Sequence, residues 1–123
     1  TLYVNSTHED FMMAYDVESD GSLSNGRKFG KLMITPEFLD AESINTQVDG
    51  MTVDERGNVY ITSILGLQIF NPDGELMGIV HLPIRPVSCA FGGDDMATIY
   101  CACPTQIYSV KTNMRGVEFP LGE

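Results

Sequence analysis

Three short runs with a tyrosine in third place, "TLYV" (1–4), "NVYI" (58–61) and "TIYC" (98–101), constrain this fold more than anything else in the chain. Each leads into a second strand-like run that ends on a glycine turn: "MMAYDVESDG", "LQIFNPDG" and "QIYSVKTNMRG", closing at Gly21, Gly74 and Gly116. A further extended run follows each turn, "SLSNGRKFGKL", "ELMGIVHLPI" and "VEFP". Tyr60 and Tyr100 also share a prelude, "VDGMTVDERG" and "VSCAFGGDDM", an alternating run closed by turn residues. A unit of roughly 40 residues made of four antiparallel strands is the sequence form of a β-propeller blade.

The sequence therefore predicts an all-β fold, a partial β-propeller of about three four-stranded antiparallel blades forming a single unit over residues 1–123. The blades are expected at about 1–34, without its inner strand, 47–83 and 86–120. Only the insertion "MITPEFLDAESIN" predicts a helical turn. Three blades are fewer than the four or more that usually close a propeller, and an open array exposes strand edges. The chain is thus expected to pair as a homodimer or to need N-terminal blades, and its start on "TLYV" without a Met is expected to mean that a segment lies upstream or has been lost.

Composition narrows the partners. With 43% apolar residues and 9% aromatics the chain can build a core. Its formal charge of −10, from 17 acidic and 7 basic residues, argues against nucleic acid and anionic membranes, which attract basic surfaces. No apolar run reaches the roughly 18 residues of a membrane span, and "TLYVNSTHED" has no signal-peptide pattern. A soluble, cytoplasmic protein is expected. Cys89, Cys101 and Cys103 are an odd number with no metal-ligand spacing, so reduced, buried thiols are the default.

Asp49, in "VDGMTV", is open to two readings. Asp-Gly is a common turn pair. If "VDGMTV" is instead an innermost blade strand, Asp49 stands at the mouth of the central channel, where carboxylates can hold a hard divalent cation. "DVESDGSLSNGR" (16–27) has Asp16, Glu18, Asp20 and Gly21 at calcium-loop offsets, but Arg27 occupies the place of the bidentate Glu, so it reads as a hairpin turn. "NPDGE" is likewise a turn, and "FGG" (91–93) lacks the strand-turn-helix setting of a phosphate loop. "NST" (5–7) fits a glycosylation sequon by three residues alone. His8 and His81 have no partner at ligand spacing, and Ser63 and Ser88 sit in no nucleophile elbow.

At "DGMTVDERGNVYIT", "LQIFNPDGELMGIVHLP" and "CAFGGDDMATIYCACPTQIYSV" the chain resembles the C-terminal part of the gluconolactonase / senescence marker protein (regucalcin) family. The likeness runs in the family's order over nearly the whole chain. It implies half of a six-bladed propeller whose channel holds one divalent metal, calcium or zinc. By the resemblance its ligands are a Glu of the first blade, an Asn of a middle blade and Asp49, the first two lying upstream of Thr1. It also implies that the metal polarises a sugar-lactone carbonyl while Asp49 helps to activate water. The chain departs from the family's double glycine after "VYITS", carrying Ile64 and Leu65 before Gly66. Two functions follow as expectations: a calcium- or zinc-dependent lactone hydrolase, inactive as the isolated chain, or a non-catalytic half-propeller that self-associates as a binding or structural module.

Overall fold

The computed structural model describes residues 1–39 and 44–118. It is built from three antiparallel meanders. The first sheet runs β1 (Leu2–Val4), β2 (Phe11–Val17), β3 (Leu23–Lys31), followed by a four-residue helix, α1 (Pro36–Leu39), inside the insertion where a helical turn was predicted. The second runs β4 (Met51–Val53), β5 (Val59–Ser63), β6 (Gly66–Phe70), β7 (Leu76–Val80). The third runs β8 (Ser88–Gly92), β9 (Thr98–Ala102), β10 (Ile107–Lys111). The all-β expectation holds, with sheets of three or four strands.

Turn chemistry sets the hairpins. Gly21, Gly57, Gly74 and Gly93 all take positive φ between paired strands, a conformation that glycine adopts without a Cβ penalty. In the "NPDGE" turn the Asn71 Oδ1 accepts from the N–H groups of Asp73 and Glu75.

The sheets stack through alternate faces of the same strands. β5 is buried along its whole length. Val59 and Ile61 point one way into a core with Met12, Ala14 and Phe29 of the first sheet, while Tyr60 points the other way into a core with Cys89, Ile99 and Cys101 of the third. Period-two alternation thus feeds two cores from one strand. Tyr60 meets Phe91 edge-on at 5.2 Å between ring centres, and Tyr3 meets Phe29 at 4.8 Å.

Among the described residues the third sheet has three strands. "VEFP" was read as its outer strand, but Val117 and Glu118 are in no strand, and Phe119 and Pro120 lie outside the described residues. After β10 the Thr112 hydroxyl donates to the Met114 carbonyl and accepts the Met114 N–H, which turns the chain inward. Gly116 then pairs with Asp54 of the second sheet and donates its N–H to the Met96 carbonyl at 2.9 Å. A Cβ on Gly116 would lie 2.2 Å from the Cβ of Phe91, so only a glycine passes here.

Gly66 is equally constrained. Its φ is +116°, and a Cβ would stand 2.2 Å from the Val80 carbonyl oxygen. Gly66→Ala is expected to destabilise the chain by about 2–4 kcal/mol, from backbone strain plus overpacking. Gly78→Ala, in β7 with nothing within 4 Å of its added Cβ, is expected to be neutral or slightly stabilising. Urea midpoints of the two variants check this, and equal shifts would refute it.

Candidate functional site

The three sheets converge at one end around Asp49. Its N–H donates to the Thr62 carbonyl at 3.3 Å, and the Thr62 N–H returns to the Gly50 carbonyl at 3.0 Å, so the pairing of β4 with β5 runs on past the strand end. Gly50 turns its own N–H to the Val87 carbonyl of the third-sheet side, at 2.9 Å. That approach needs glycine, because a Cβ at residue 50 would lie 2.8 Å from the Ser88 Cα. From the first sheet, the Asn5 Nδ2 donates to the Asp49 carbonyl at 2.6 Å. Beside it the Arg85 Nη1 donates to the carbonyl of Gln47, itself at φ +50°.

The backbone of Asp49 is therefore fixed by the first and second sheets and that of the adjoining Gly50 by the third, while the Asp49 residue itself is exposed. Such a carboxylate can accept a proton from a positioned water or contribute one ligand to a cation. Among the described residues there is no group of three or more His, Cys, Asp or Glu side chains placed to hold a metal ion. One carboxylate does not make a site for a cation that takes 6 to 8 oxygens, so the residues present do not by themselves fit a divalent metal.

The other sequence candidates are accounted for locally. Arg27 Nη1 pairs with Asp16 Oδ1 at 3.0 Å, and the Asn25 amide also donates to Asp16. These two bonds, Asn25 first, hold the Asp16 carboxyl below the usual Asp range. Asp20 accepts from the hydroxyl and N–H of Ser22, which lower its pKa in the same way. The calcium-like stretch is a hairpin with its carboxylates already engaged. Ser63 is buried, with its hydroxyl given to the Gly66 carbonyl at 3.1 Å. His8 and His81 each place Nδ1 at a backbone carbonyl, of Ile44 and of Leu65.

The cysteines are free thiols, with Cys89 and Cys101 buried side by side on β8 and β9. Burial, and secondarily the neighbouring cysteine, pushes Cys89 up to about 12 and Cys101 up to about 11. Neither is a nucleophile at neutral pH.

Two residues escaped the sequence reading. Asn5 carries a local signal only as part of a sequon, and nothing local shows that its amide reaches Asp49 across 44 positions of chain. Asp54 passed as a turn residue, yet it is a buried carboxylate with four hydrogen bonds. The Asp-x-x-x-Asn spacing of "DERGN" before a strand tyrosine was the available clue.

The sequence profile of the SMP-30/Gluconolactonase/LRE-like region matches residues 1–103. The chain belongs to this family. A gluconolactonase of Zymomonas mobilis is 32% identical over 121 residues, covering 94% of this chain and 32% of that protein. An uncharacterised protein of Sulfolobus acidocaldarius is 25% identical, with 94% and 42% covered. The chain thus spans about a third to two-fifths of these relatives. Among solved structures, an X-ray structure provisionally assigned as a gluconolactonase superposes with a TM-score of 0.72 at 25% identity, over 95% of this chain and 37% of that one. A luciferin-regenerating enzyme shares the fold, with a TM-score of 0.73 at 20% identity, over 94% and 42%.

In this chain Asp49 bonds to the first and second sheets and the adjoining Gly50 to the third. No helix among the described residues is long and apolar enough to cross a membrane.

Proposed function

We propose that this chain forms half of a gluconolactonase-like propeller and that the completed fold hydrolyses a sugar lactone, with Asp49 acting at the channel mouth. The observation that carries this reading is the exposed Asp49, its backbone tied to the first and second sheets while the adjoining Gly50 is tied to the third. In the reaction a water attacks the lactone carbonyl carbon and Asp49 takes its proton. The ring C–O bond then breaks, and the departing alkoxide oxygen takes a proton to leave a hydroxy acid. Any calcium or zinc ion would need further ligands from outside the described residues.

The stack itself supports further sheets. Tyr3 faces the second sheet and Tyr60 the third, whereas Tyr100, the next in the series, is 44% exposed. At the other end Leu2 and Val4, which match the buried Val59 and Ile61, are 41% and 44% exposed. Both end faces thus repeat the residues of a buried interface. A hybrid in which residues 1–123 replace the matching part of the Zymomonas mobilis gluconolactonase tests the function. Gluconolactone hydrolysis by the folded hybrid, above the background given by the 123-residue chain alone, is the expected result; a folded, inactive hybrid would overturn the reading.

A non-catalytic, self-associating half-propeller is the second reading, favoured by the same exposed end faces, with Ile107 74% exposed beside Tyr100. Two copies joined head to tail would make six blades and cover both faces. Light scattering of the isolated chain at micromolar concentration is then expected to give twice the chain mass, and a stable monomer excludes this reading.

A further inference from the structure

Beside Asp49, the chain holds an arginine on a stiffened support. The segments 47–50, entering β4, and 85–88, entering β8, run side by side. The Gly50 N–H joins them at the Val87 carbonyl, and the Arg85 Nη1 joins them at the Gln47 carbonyl, 3.1 Å away. Pro83 and Pro86 fix φ on either side of Ile84 and Arg85, and Pro86 is fully buried. A residue before proline is confined to extended backbone, which leaves Arg85 little freedom. Its neighbours are tied as well: the Ile84 carbonyl accepts the Cys103 thiol, and the Val87 N–H donates to the Ala102 carbonyl at 2.8 Å. On the facing segment Gln47 takes φ +50°, a left-handed conformation unfavourable for a residue with a Cβ, and it is the Gln47 carbonyl that meets the guanidinium.

Arg27 and Arg115 pair with Asp16 and Glu118, whereas Arg85 gives one N–H to a neutral carbonyl and, among the described residues, pairs with no carboxylate. A guanidinium carries five N–H donors in a planar fork that matches a carboxylate or a phosphate. Here it is half-buried, where its charge is screened less than on an open surface. Gln47 and Asp49 are two residues apart, at most about 7 Å along the chain, the scale of one sugar ring with its substituent. We infer that Arg85 is a specificity-determining residue that binds an anionic substituent, carboxylate or phosphate, on the sugar ring presented to Asp49. This inference rests on the lactone-hydrolase reading and names the substrate class of that site. A chain of formal charge −10 repels an anionic ligand, and a fixed cation beside Asp49 reverses that locally. Arg85 takes no part in the proton transfers, so its contribution is the same for substrate and transition state and appears in KM rather than kcat.

Three unreactive ring sugars serve as probes: glucose, glucuronate and glucose 6-phosphate. Their dissociation constants are measured by amide-shift titration of the isotope-labelled hybrid with the Zymomonas mobilis gluconolactonase. At least one of the two anionic sugars is expected to bind about tenfold or more tightly than glucose, and whichever binds tighter tells a carboxylate from a phosphate ligand. In Arg85→Gln that preference should fall below about twofold, and in Arg85→Lys, which keeps the charge but loses the fork, it should be intermediate. Equal binding of the three sugars, or a preference that survives Arg85→Gln, would overturn the inference. Gluconolactone hydrolysis by the same hybrid is read separately. Activity without the Arg85-dependent preference overturns this inference alone, whereas the preference without activity removes the lactonase reading and keeps the anionic-sugar subsite.

Discussion

Asp49→Asn in the active hybrid is expected to lower kcat by about 10²–10⁴-fold with KM changed only a few-fold. Asparagine has nearly the shape of aspartate and preserves the backbone bonds to Thr62 and Asn5, neither of which uses the carboxylate. It removes only the ability to accept a proton from water. Stability should stay within about 0.5 kcal/mol of the parent, because the exposed side chain makes no ion pair among the described residues. Steady-state kinetics with a urea titration on the same preparation separates the two effects. An unchanged kcat would remove Asp49 from the chemistry, and a fall in kcat accompanied by unfolding would make it a structural residue.

Asp54→Ala is expected to cost about 3–5 kcal/mol of stability. The carboxylate is buried and accepts from the Arg56 N–H at 2.9 Å, the Asn58 N–H at 3.0 Å, the Asn58 Nδ2 at 2.7 Å and the Tyr60 hydroxyl at 2.9 Å. Burial first, and the bond to Asp54 second, raises the Tyr60 pKa, so the phenol stays a donor throughout the physiological range. Alanine would strand these donors where water cannot reach them all, and an unsatisfied buried group costs its full desolvation penalty. The loss should spread, because Tyr60 packs on Phe91 and Asp54 bridges to Gly116, joining the second sheet to the third. Asp73→Ala, in an exposed turn, is the control and should shift stability by less than about 0.5 kcal/mol. Equal urea midpoints for the two variants would show that the Asp54 network adds little.

The pattern of this chain was legible where the physics is local. Alternation in "NVYI" and "TIYC", and the glycines at 21, 57, 74 and 93, gave strands and turns, because side-chain period and permitted φ are properties of a few consecutive residues. Asp49 could be named from its motif by resemblance. Its surroundings could not, since Asn5 reaches its carbonyl, and Val87 the N–H of the adjoining Gly50, only after three sheets have packed.

What the sequence by itself determined was the all-β class, the order of the meanders and the likeness to the SMP-30/gluconolactonase family. The tertiary structure alone decided that Val59 and Ile61 feed one core and Tyr60 another, and that Asp54 is a buried hub rather than a turn residue. It also decided that the chain after β10 crosses back to Asp54 at Gly116. The reason is common to all three. Each depends on which sheet lies against which, and a contact between residues distant along the chain leaves no period in the sequence around either partner. At Gly116 the deciding contact is the side chain of Phe91, whose Cβ leaves room for a glycine and for no larger residue.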